Sequence, residues 1–287
     1  MKYTVLLFYK YVGIQDTQAI YEREMAVCKV LGLKGRIIIA KEGINGTVEG
    51  ETDAIEKYKV HIRSDKRFRM MDIKESMGDG LAFPRLSIKI RDEIVATQFP
   101  SHIDPRKKTG KYIPAHELKR MYDNKEDFVV VDMRNEYEIA SGYFDKTVSA
   151  GLNASRDLMT KVEGLRIHQN KKVVTVCTGG VRCEKMSAYL LDQGFTNVHQ
   201  LHGGMHSFME KYPGEHYKGT LFTFDNRITM HWGDSKDAMR EIVGTCVICK
   251  VKNEHYENCK NTFCNKKMLV CDTCSTERGE GVRCVGC

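Results

Sequence analysis

Apolar and polar positions along the first 98 residues follow the periods of short strands and amphipathic helices. The pattern predicts strands at Tyr3 to Phe8, Arg36 to Ala40, Gly46 to Glu49 and Arg85 to Val95, with helices at Thr17 to Leu31 and Asp53 to Arg63. The first helix follows the first strand, and the second helix precedes the last strand. The order is therefore βαββαβ.

This order is typical of a ferredoxin-like α+β domain, which we assign to residues 1–98. On its last predicted strand, Arg85 to Val95, the apolar residues Leu86, Ile88 and Ile90 alternate with polar ones. The period of two places Arg85, Lys89 and Arg91 on one face. That face is either an ordinary solvated sheet surface or a contact for an RNA backbone, and alternation alone does not separate the two.

From Ala115 to about Tyr212, predicted strands alternate with helices, as in a parallel sheet covered on both faces. The β-branched run Val173 to Val176 predicts a buried strand, and six residues later an apolar-periodic helix begins and runs to Gly194. In such sheets the working site lies outside the carboxyl ends of the strands. Cys177 directly follows its strand and is therefore placed at that site.

The loop after this strand, CTGGVRC, favours a reactive thiolate. Backbone N–H groups and the positive end of a helix stabilise negative charge, so the pKa of Cys177 should fall. Gly179 and Gly180 let the backbone curl around the sulfur, and Arg182 adds a fixed cation. The alternative is a buried structural cysteine at a strand end.

Asp132 and Arg134 end an earlier strand and could reach the same crevice, although a structural ion pair is the simpler explanation. No pair of histidines in this region has the spacing of a metal site with a partner carboxylate. The chain also lacks a Rossmann glycine fingerprint and a 2-His-1-carboxylate arrangement, which argues against nicotinamide and non-haem iron.

Eight of the eleven cysteines lie in the last 42 residues, where they form four pairs. Four pairs supply the ligands of two tetrahedral thiolate sites, so about two structural zinc ions are predicted. Either adjacent pairs share an ion, or the pairs interleave, first with third and second with fourth; the spacing favours interleaving. Free or redox-active thiols and an iron–sulfur cluster are weaker alternatives. The predicted ligands are Cys246, Cys249, Cys259, Cys264, Cys271, Cys274, Cys284 and Cys287.

This tail shows almost no apolar periodicity, so the metal would supply its folding free energy. It carries seven Lys and Arg against five Asp and Glu, and eight thiolates with two divalent ions make its net charge negative. A negative module binds phosphates poorly, so we expect a structural role first.

Residues 99–114 contain three prolines and several basic residues, which predicts an extended basic linker. Lys107, Lys108 and Lys111 are either solvated or in contact with phosphates. The expected organisation is a ferredoxin-like domain (1–98), this linker (99–114), a parallel α/β domain (115–218), a connector (219–245) and a zinc-binding module (246–287).

The composition, with 41% hydrophobic and 29% charged residues over 287 positions, is that of a soluble globular protein. The formal net charge of +7 permits a polyanionic partner. No segment approaches twenty apolar residues, and no cleavage site follows the short apolar N-terminus. We therefore expect a cytoplasmic protein without a membrane span.

The loop CTGGVRC resembles the active-site loop of rhodanese domains, whose first cysteine carries a persulfide. VVVDMRNEYE (Val129 to Glu138) resembles the Asp-x-Arg strand and acidic turn of that family, and LHGGMHSF (Leu201 to Phe208) resembles its closing Gly-Gly segment. The chain departs from the family at two positions. Tyr143 stands where many rhodaneses have His, and Cys183 stands where they often have Ser, Thr or Ala.

The succession of KEGINGTVEG, CTGGVRCEK, FDNR and a cysteine-rich tail resembles the bacterial tRNA uridine(34) hydroxylases over nearly the whole chain. The resemblance implies a tRNA-modifying enzyme that hydroxylates C5 of the wobble uridine, with molecular oxygen as co-substrate. The expected catalytic residues are Cys177, which adds to C6 of the uracil, Cys183, which resolves or carries an oxidised sulfur, and Arg182, which stabilises the enolate oxygen. The expected substrate-binding residues are Gly179, Gly180, Asp132, Arg134, Lys41, Asn45, Arg85 and Lys89.

Two other functions stay open. A simple sulfurtransferase would hold a cysteine persulfide on Cys177 but would leave the first domain, the tail and Cys183 without a role. A non-enzymatic zinc and RNA-binding module would not need the intact Cys177 and Arg182.

Overall fold

The computed structural model describes residues 2–233, 241–277, 281–284 and 287. Part of the predicted connector (234–240) and parts of the predicted zinc module (278–280, 285 and 286) lie outside the described residues.

The N-terminal unit is a five-stranded sheet with two helices. Its elements are β1 (Tyr3–Tyr11), α1 (Thr17–Val30), β2 (Lys34–Ala40), β3 (Gly43–Glu51), α2 (Thr52–Ser64), β4 (Asp72–Gly78) and β5 (Leu86–Ile90). The strand order is β4-β1-β3-β2-β5, and β3 is antiparallel to both β1 and β2. The first four strands in this order form the predicted ferredoxin-like sheet, which is therefore confirmed.

The last strands of this unit differ from the prediction. β4 takes the edge beside β1, whereas the strand predicted at 85–95 is shorter and forms a fifth strand parallel to β2. The sequence pattern missed β4 because its apolar residues do not mark a buried face. Met77 is 69% exposed, while Lys74 is buried.

The two faces of this sheet have different partners. On β1, Leu6 and Phe8 are fully buried in the core that includes Ile20 of α1 and Tyr58 of α2. Since side chains alternate along a strand, Leu7 and Tyr9 lie on the opposite face, away from the helices.

The central unit is a second five-stranded sheet, of order β6-β11-β10-β7-β9, in which all neighbouring strands are parallel. Its elements are β6 (Lys111–Ile113), α3 (Ala115–Asp123), β7 (Val129–Asp132), α4 (Glu136–Ile139), β8 (Gly142–Phe144), β9 (Thr147–Ser149), α5 (Leu158–Lys161), β10 (Lys172–Val176), α6 (Val181–Asp192), β11 (Asn197–Leu201) and α7 (Gly204–Lys211), with 3-10 turns at Ser155–Asp157 and Val162–His168. Val131 and Val173 belong to one core, and Val130 and Val174 to another. Both faces are therefore covered, as predicted.

Helix α6 begins at Val181, two residues before the predicted start. Gly180 has a φ of 100°, which turns the chain sharply into the helix. The sequence predicts Arg182 in the loop and Cys183 at the helix start. Both consequently lie on the first turn of α6.

The segment 99–114 is not the extended linker that its prolines predict. Phe99 stacks on Tyr189 of α6 with ring centroids 4.4 Å apart, and Ile103 is buried in the same core. These contacts fold the segment into turns, and its end forms β6. Lys107, Lys108 and Lys111 are exposed.

The C-terminal part contains short elements: β12 (Tyr217–Gly219), β13 (Leu221–Phe222), β14 (Thr229–Met230), β15 (Tyr256–Asn258), β16 (Lys267–Leu269) and α8 (Asp272–Glu277). Tyr256 donates a hydrogen bond to the Tyr137 carbonyl at α4, which attaches the tail to the central unit. Within the described ranges, no helix is both long and apolar enough to cross a bilayer.

Candidate active site and metal centres

Cys177 lies at the carboxyl end of β10, where the loop folds back over its sulfur. The N–H of Gly180 donates to Sγ at 3.2 Å, and the thiol and N–H of Cys183 also hydrogen-bond to it. Burial opposes ionisation, but these hydrogen bonds and the Arg182 charge outweigh it and lower the pKa of Cys177 to about 6. The surroundings of Cys177 therefore favour its thiolate form.

Cys183 lies on the first turn of α6 and is fully buried. Burial raises its pKa well above the ordinary value, and the neighbouring Cys177 charge raises it further. Cys183 is therefore the protonated partner that donates to the Cys177 thiolate. Neither cysteine forms a disulfide.

Arg182 is held by Glu138, a residue that the sequence did not single out. Its two terminal nitrogens each lie 2.7 Å from a Glu138 oxygen, a bidentate pair in which both side chains are almost completely buried. Glu138 also accepts the Asn135 N–H at 3.0 Å. The acidic turn after β7 thus fixes the guanidinium beside Cys177.

Helix α7 supports the other side of the loop. Met205 N–H donates to the Cys177 carbonyl at 2.9 Å, and His206 N–H donates to the Thr178 carbonyl at 3.0 Å. Gly204 has a φ of 65°, and a Cβ there would lie 2.7 Å from three backbone atoms of the loop. A side chain at Gly204 would therefore clash with the loop backbone, which explains the glycine at this position.

The free face of the N-terminal sheet covers this loop. The strand register gives two rows on that face: Leu7, Thr47 and Arg36 in one, and Tyr9, Asn45 and Ile38 in the other. A Cβ on Gly179 would lie 2.7 Å from Leu7, and one on Gly180 would lie 2.9 Å from the Tyr9 hydroxyl. Both glycines therefore permit close contact between the two units.

Polar contacts join the units around the loop. Lys185 of α6 is buried and lies 2.8 Å from the carboxylate of Glu42 in the KEGIN turn. The Tyr11 hydroxyl donates to the Val181 carbonyl at 3.2 Å. Breaking this contact would leave the buried Lys185 charge without the Glu42 carboxylate, so the pair stabilises the position of the turn against α6.

A cavity of about 360 Å³ lies between the two units, and Cys177 lines it together with Arg182 and Thr178. Its other walls include the free sheet face with the Tyr9 ring, residues 94–96, Asn135, Ser155 and the rings of Phe83 and Phe224. The size is within the range of small-ligand sites, and the aromatic walls suit a flat ring.

The expected substrate-binding residues separate into groups. Gly179 and Asn45 line the cavity, and Gly180 binds the sulfur through its N–H. Arg134 is fully buried, where it pairs with Asp132 at 2.7 Å and donates to the Gly142 carbonyl, so both side chains tie strands together. Lys41, Arg85 and Lys89 are exposed and do not line the cavity.

Several site residues escaped the sequence analysis: Leu7, Tyr9, Asn135, Glu138 and Phe224. The DMRNEYE motif could have indicated Asn135 and Glu138, since an acidic turn that follows a strand end lies at the same sheet edge as Cys177. FDNR held the signal for Phe224: Arg227 donates to Ser76 of β4 at 2.8 Å, and this contact sets the connector at the cavity. Nothing local marked Leu7 or Tyr9, because their role depends on contact between two units.

The tail cysteines form two clusters, Cys246, Cys249, Cys271 and Cys274 in one, and Cys259, Cys264, Cys284 and Cys287 in the other. The predicted interleaving is confirmed: first and third pairs meet, as do second and fourth. Within each cluster the sulfurs lie within 4.8 Å of one another. The Cys249–Cys271 and Cys264–Cys284 sulfurs are 3.6 and 3.5 Å apart, too far for disulfides and close to the roughly 3.8 Å between sulfurs on a tetrahedral zinc. Each cluster can therefore hold a metal ion.

Three known families match successive parts of the chain. Residues 3–94 match the UPF0176 acylphosphatase-like domain, residues 114–211 the rhodanese-like domain, and residues 218–287 the rhodanese C-terminal family.

Two curated relatives span almost the whole chain. A tRNA uridine(34) hydroxylase of Cytophaga hutchinsonii is 39% identical over 95% of this chain and 86% of its own. One of Staphylococcus aureus (strain Newman) is 38% identical over 96% and 87%. Among solved structures, a rhodanese-like domain protein from Staphylococcus aureus covers 34% of this chain and 90% of its own, with 29% identity and a TM-score of 0.30.

Proposed function

Because the chain belongs to the tRNA uridine(34) hydroxylase family, we propose that it is a tRNA-modifying oxidoreductase that hydroxylates C5 of the wobble uridine, with Cys177 as the nucleophile. The observation that carries this proposal is that Cys177, whose pKa is lowered by its surroundings, lies in the wall of a cavity between the free face of the N-terminal sheet and the rhodanese-like loop. A cytoplasmic location belongs to the same proposal.

The uridine must leave the base stack to reach Cys177, and the aromatic cavity is suited to a flipped-out base. The Cys177 sulfur forms a bond to C6 of the uracil, and the electron pair of the C5–C6 double bond moves toward C5 and the C4 oxygen. Arg182, which lines the cavity, stabilises this developing charge.

Carbon 5 then takes one oxygen atom from an electrophilic oxygen species. With dioxygen as the source, the other oxygen atom leaves as water, and an external reductant supplies two electrons and two protons. Loss of the C5 proton and departure of the Cys177 sulfur restore the double bond. Cys183, adjacent to Cys177, returns any sulfenic acid on Cys177 to the thiolate through a disulfide that the reductant cleaves.

Asn135 supplies a reason for choosing uracil. Its side-chain oxygen is buried and has no hydrogen-bond partner among the described residues, and Asn135 lines the cavity. Its amide nitrogen donates to the Tyr137 hydroxyl at 3.2 Å, which leaves the oxygen as an acceptor. Uracil carries a donor at N3, whereas cytosine carries an acceptor there, so Asn135 favours uracil.

Replacing Asn135 with alanine should reduce the preference for uridine over cytidine at the wobble position. One hydrogen bond to a buried acceptor corresponds to about a tenfold preference. The measurement is the affinity of anticodon stem–loops with U or C at that position, with Asn124→Ala as a surface control. A uridine preference that survives in Asn135→Ala at full size would remove this residue from base selection.

The RNA backbone on either side of the uridine would contact the free face of the N-terminal sheet. The register aligns Ile38 in the cavity wall with Lys89 on β5, and Arg85 shares the face of Lys89. The exposed Arg36 lies in the cavity wall itself. These cations extend from the cavity to the sheet edge, where they can neutralise phosphates on either side of the flipped nucleotide.

The metal in the two cysteine clusters is proposed to be zinc. Four thiolates at tetrahedral distances are the ligand set of structural zinc, which would fold the tail without taking part in the reaction.

The function is tested by deleting the gene for this chain in its own host and measuring wobble nucleosides in purified tRNA by mass spectrometry. We expect 5-hydroxyuridine to disappear and to return with the wild-type gene but not with Cys177→Ser. Loss of thiolated nucleosides instead would identify a sulfurtransferase. Unchanged tRNA would leave only a binding role.

A further inference from the structure

The second cysteine cluster presents an aromatic ring that has no place in the protein interior. Phe263, in the loop between Cys259 and Cys264, is 100% exposed. The chain turns at Asn261, where the Phe263 N–H donates to the Asn261 side chain at 3.1 Å and the Cys264 N–H donates to the Asn261 carbonyl at 3.0 Å. A single exposed apolar side chain is ordinary on a protein surface, so Phe263 indicates a partner only together with the basic residues near it in the chain.

Basic residues surround the same cluster. Lys260 and Arg283 are adjacent in the chain to Cys259 and Cys284, and Lys266 and Lys267 follow Cys264 by two and three residues. The four thiolates with a divalent ion carry two negative charges, which these four cations exceed. The net charge of the tail as a whole is negative, but the charges close to this cluster in the chain are mostly positive.

A second cavity of about 660 Å³ opens beside these residues. Lys266, Lys267 and Arg283 line it together with apolar residues of the tail, and Tyr137 and Glu136 line its other side. Glu136 accepts a hydrogen bond from Ser149, so its carboxylate is already engaged. The lining is therefore mostly apolar, with three basic side chains.

The second cavity adjoins the active-site cavity. Asn135 lines one, and the next two residues of the chain line the other. The Lys267 ammonium lies 6.0 Å from the centre of the Phe222 ring, and Phe222 packs edge-on against Phe224, which lines the active-site cavity. A nucleotide next to the flipped uridine would lie at this junction.

We propose that this second-cluster surface, formed by Phe263, Lys266, Lys267 and Arg283, binds unpaired nucleotides of the same anticodon loop. Phe263 stacks on a base, and the cations contact the adjoining phosphates. An exposed aromatic ring among lysines on a small metal-held loop combines the two features by which proteins hold single-stranded RNA. The inference rests on the proposed function for the identity of the RNA.

The test measures binding of an anticodon stem–loop RNA to the full-length, metal-loaded chain by fluorescence anisotropy over a range of salt concentrations. Phe263→Ala should weaken binding about tenfold without changing the salt dependence, and Phe263→Tyr should bind as the wild type does. Lys266→Ala combined with Lys267→Ala should reduce the slope of log affinity against log salt by about 1.4. Ile167→Ala, which removes an exposed apolar side chain elsewhere, is the control.

Wild-type affinity in Phe263→Ala, with RNA still bound, would overturn this inference and leave the proposed function standing. A wild-type chain that binds no stem–loop would overturn both. If Phe263→Ala instead converts a dimer into a monomer and leaves RNA affinity unchanged, the surface is a contact between copies of this chain, and the inference is wrong.

Discussion

Cys183→Ser is expected to lose 5-hydroxyuridine formation over repeated turnovers, as oxidised Cys177 accumulates, while reduced Cys177 still accepts a sulfane sulfur from thiosulfate. A serine hydroxyl keeps the hydrogen bond to the Cys177 thiolate but cannot form the disulfide that recovers an oxidised Cys177. Cys177→Ser should lose both reactions, with a rate loss of about a thousandfold or more, as is usual when a nucleophile is removed. Nucleoside mass spectrometry and a persulfide assay on the same preparations supply the two readouts.

Cys183→Ala separates the redox role from the hydrogen bond. Alanine removes the donor, so the pKa of Cys177 should rise from about 6. The thiolate exists above that pKa and is lost as pH falls through it. Alkylation of the Cys177 peptide should therefore decline at a higher pH in Cys183→Ala than in Cys183→Ser. Wild-type hydroxylation by Cys183→Ser would show that the second thiol has no catalytic role.

Removing the metal is expected to unfold the tail. The purified chain should hold about two zinc ions, and a chelator should expose residues 246–287 to protease, because the tail has only a small apolar core around residues such as Val270 and Val282. Binding free energies of roughly 10–16 kcal/mol per structural zinc exceed what such a core supplies. Activity should fall as well, since Tyr256 holds the carbonyl of Tyr137, two residues after Asn135 in the wall of the active-site cavity.

Two double variants test the arrangement of the clusters. Cys249→Ser with Cys271→Ser alters only the first cluster and should leave about one zinc per chain. Cys249→Ser with Cys264→Ser alters both clusters and should leave almost none. Clusters built from adjacent pairs would give the reverse result. A tail that stays protease-resistant with well under one zinc would show that the metal does not fold it.

The sequence predicted those features that depend on neighbouring residues in the chain. The β-branched run before Cys177 and the glycines after it indicated the strand, the turn and the acidified thiol without tertiary information. Cysteine spacing indicated the interleaved clusters for the same reason, since the ligands of one tetrahedral site restrict how the pairs combine.

The parts that the sequence did not predict depend on contact between distant segments. Strand β4 lacks an apolar alternation because it is an edge strand, and register with β1 rather than its own pattern places it. Leu7 and Tyr9 alternate with core residues like any strand positions, and only the close approach of Gly179 and Gly180 makes them walls of the cavity. Asp132 and Arg134 had the residue types of a substrate site, but complete burial commits them to each other.

A stem–loop RNA with 5-fluorouridine at the wobble position tests whether Cys177 attacks C6 of the bound uracil. Fluorine at C5 cannot depart as a proton does, so the sulfur–C6 bond should persist after the reaction. We expect peptide mass spectrometry to find one RNA adduct on Cys177, at close to one per chain, and none in Cys177→Ser. An adduct on another cysteine, or no adduct from a preparation that hydroxylates unsubstituted tRNA, would contradict nucleophilic attack by Cys177.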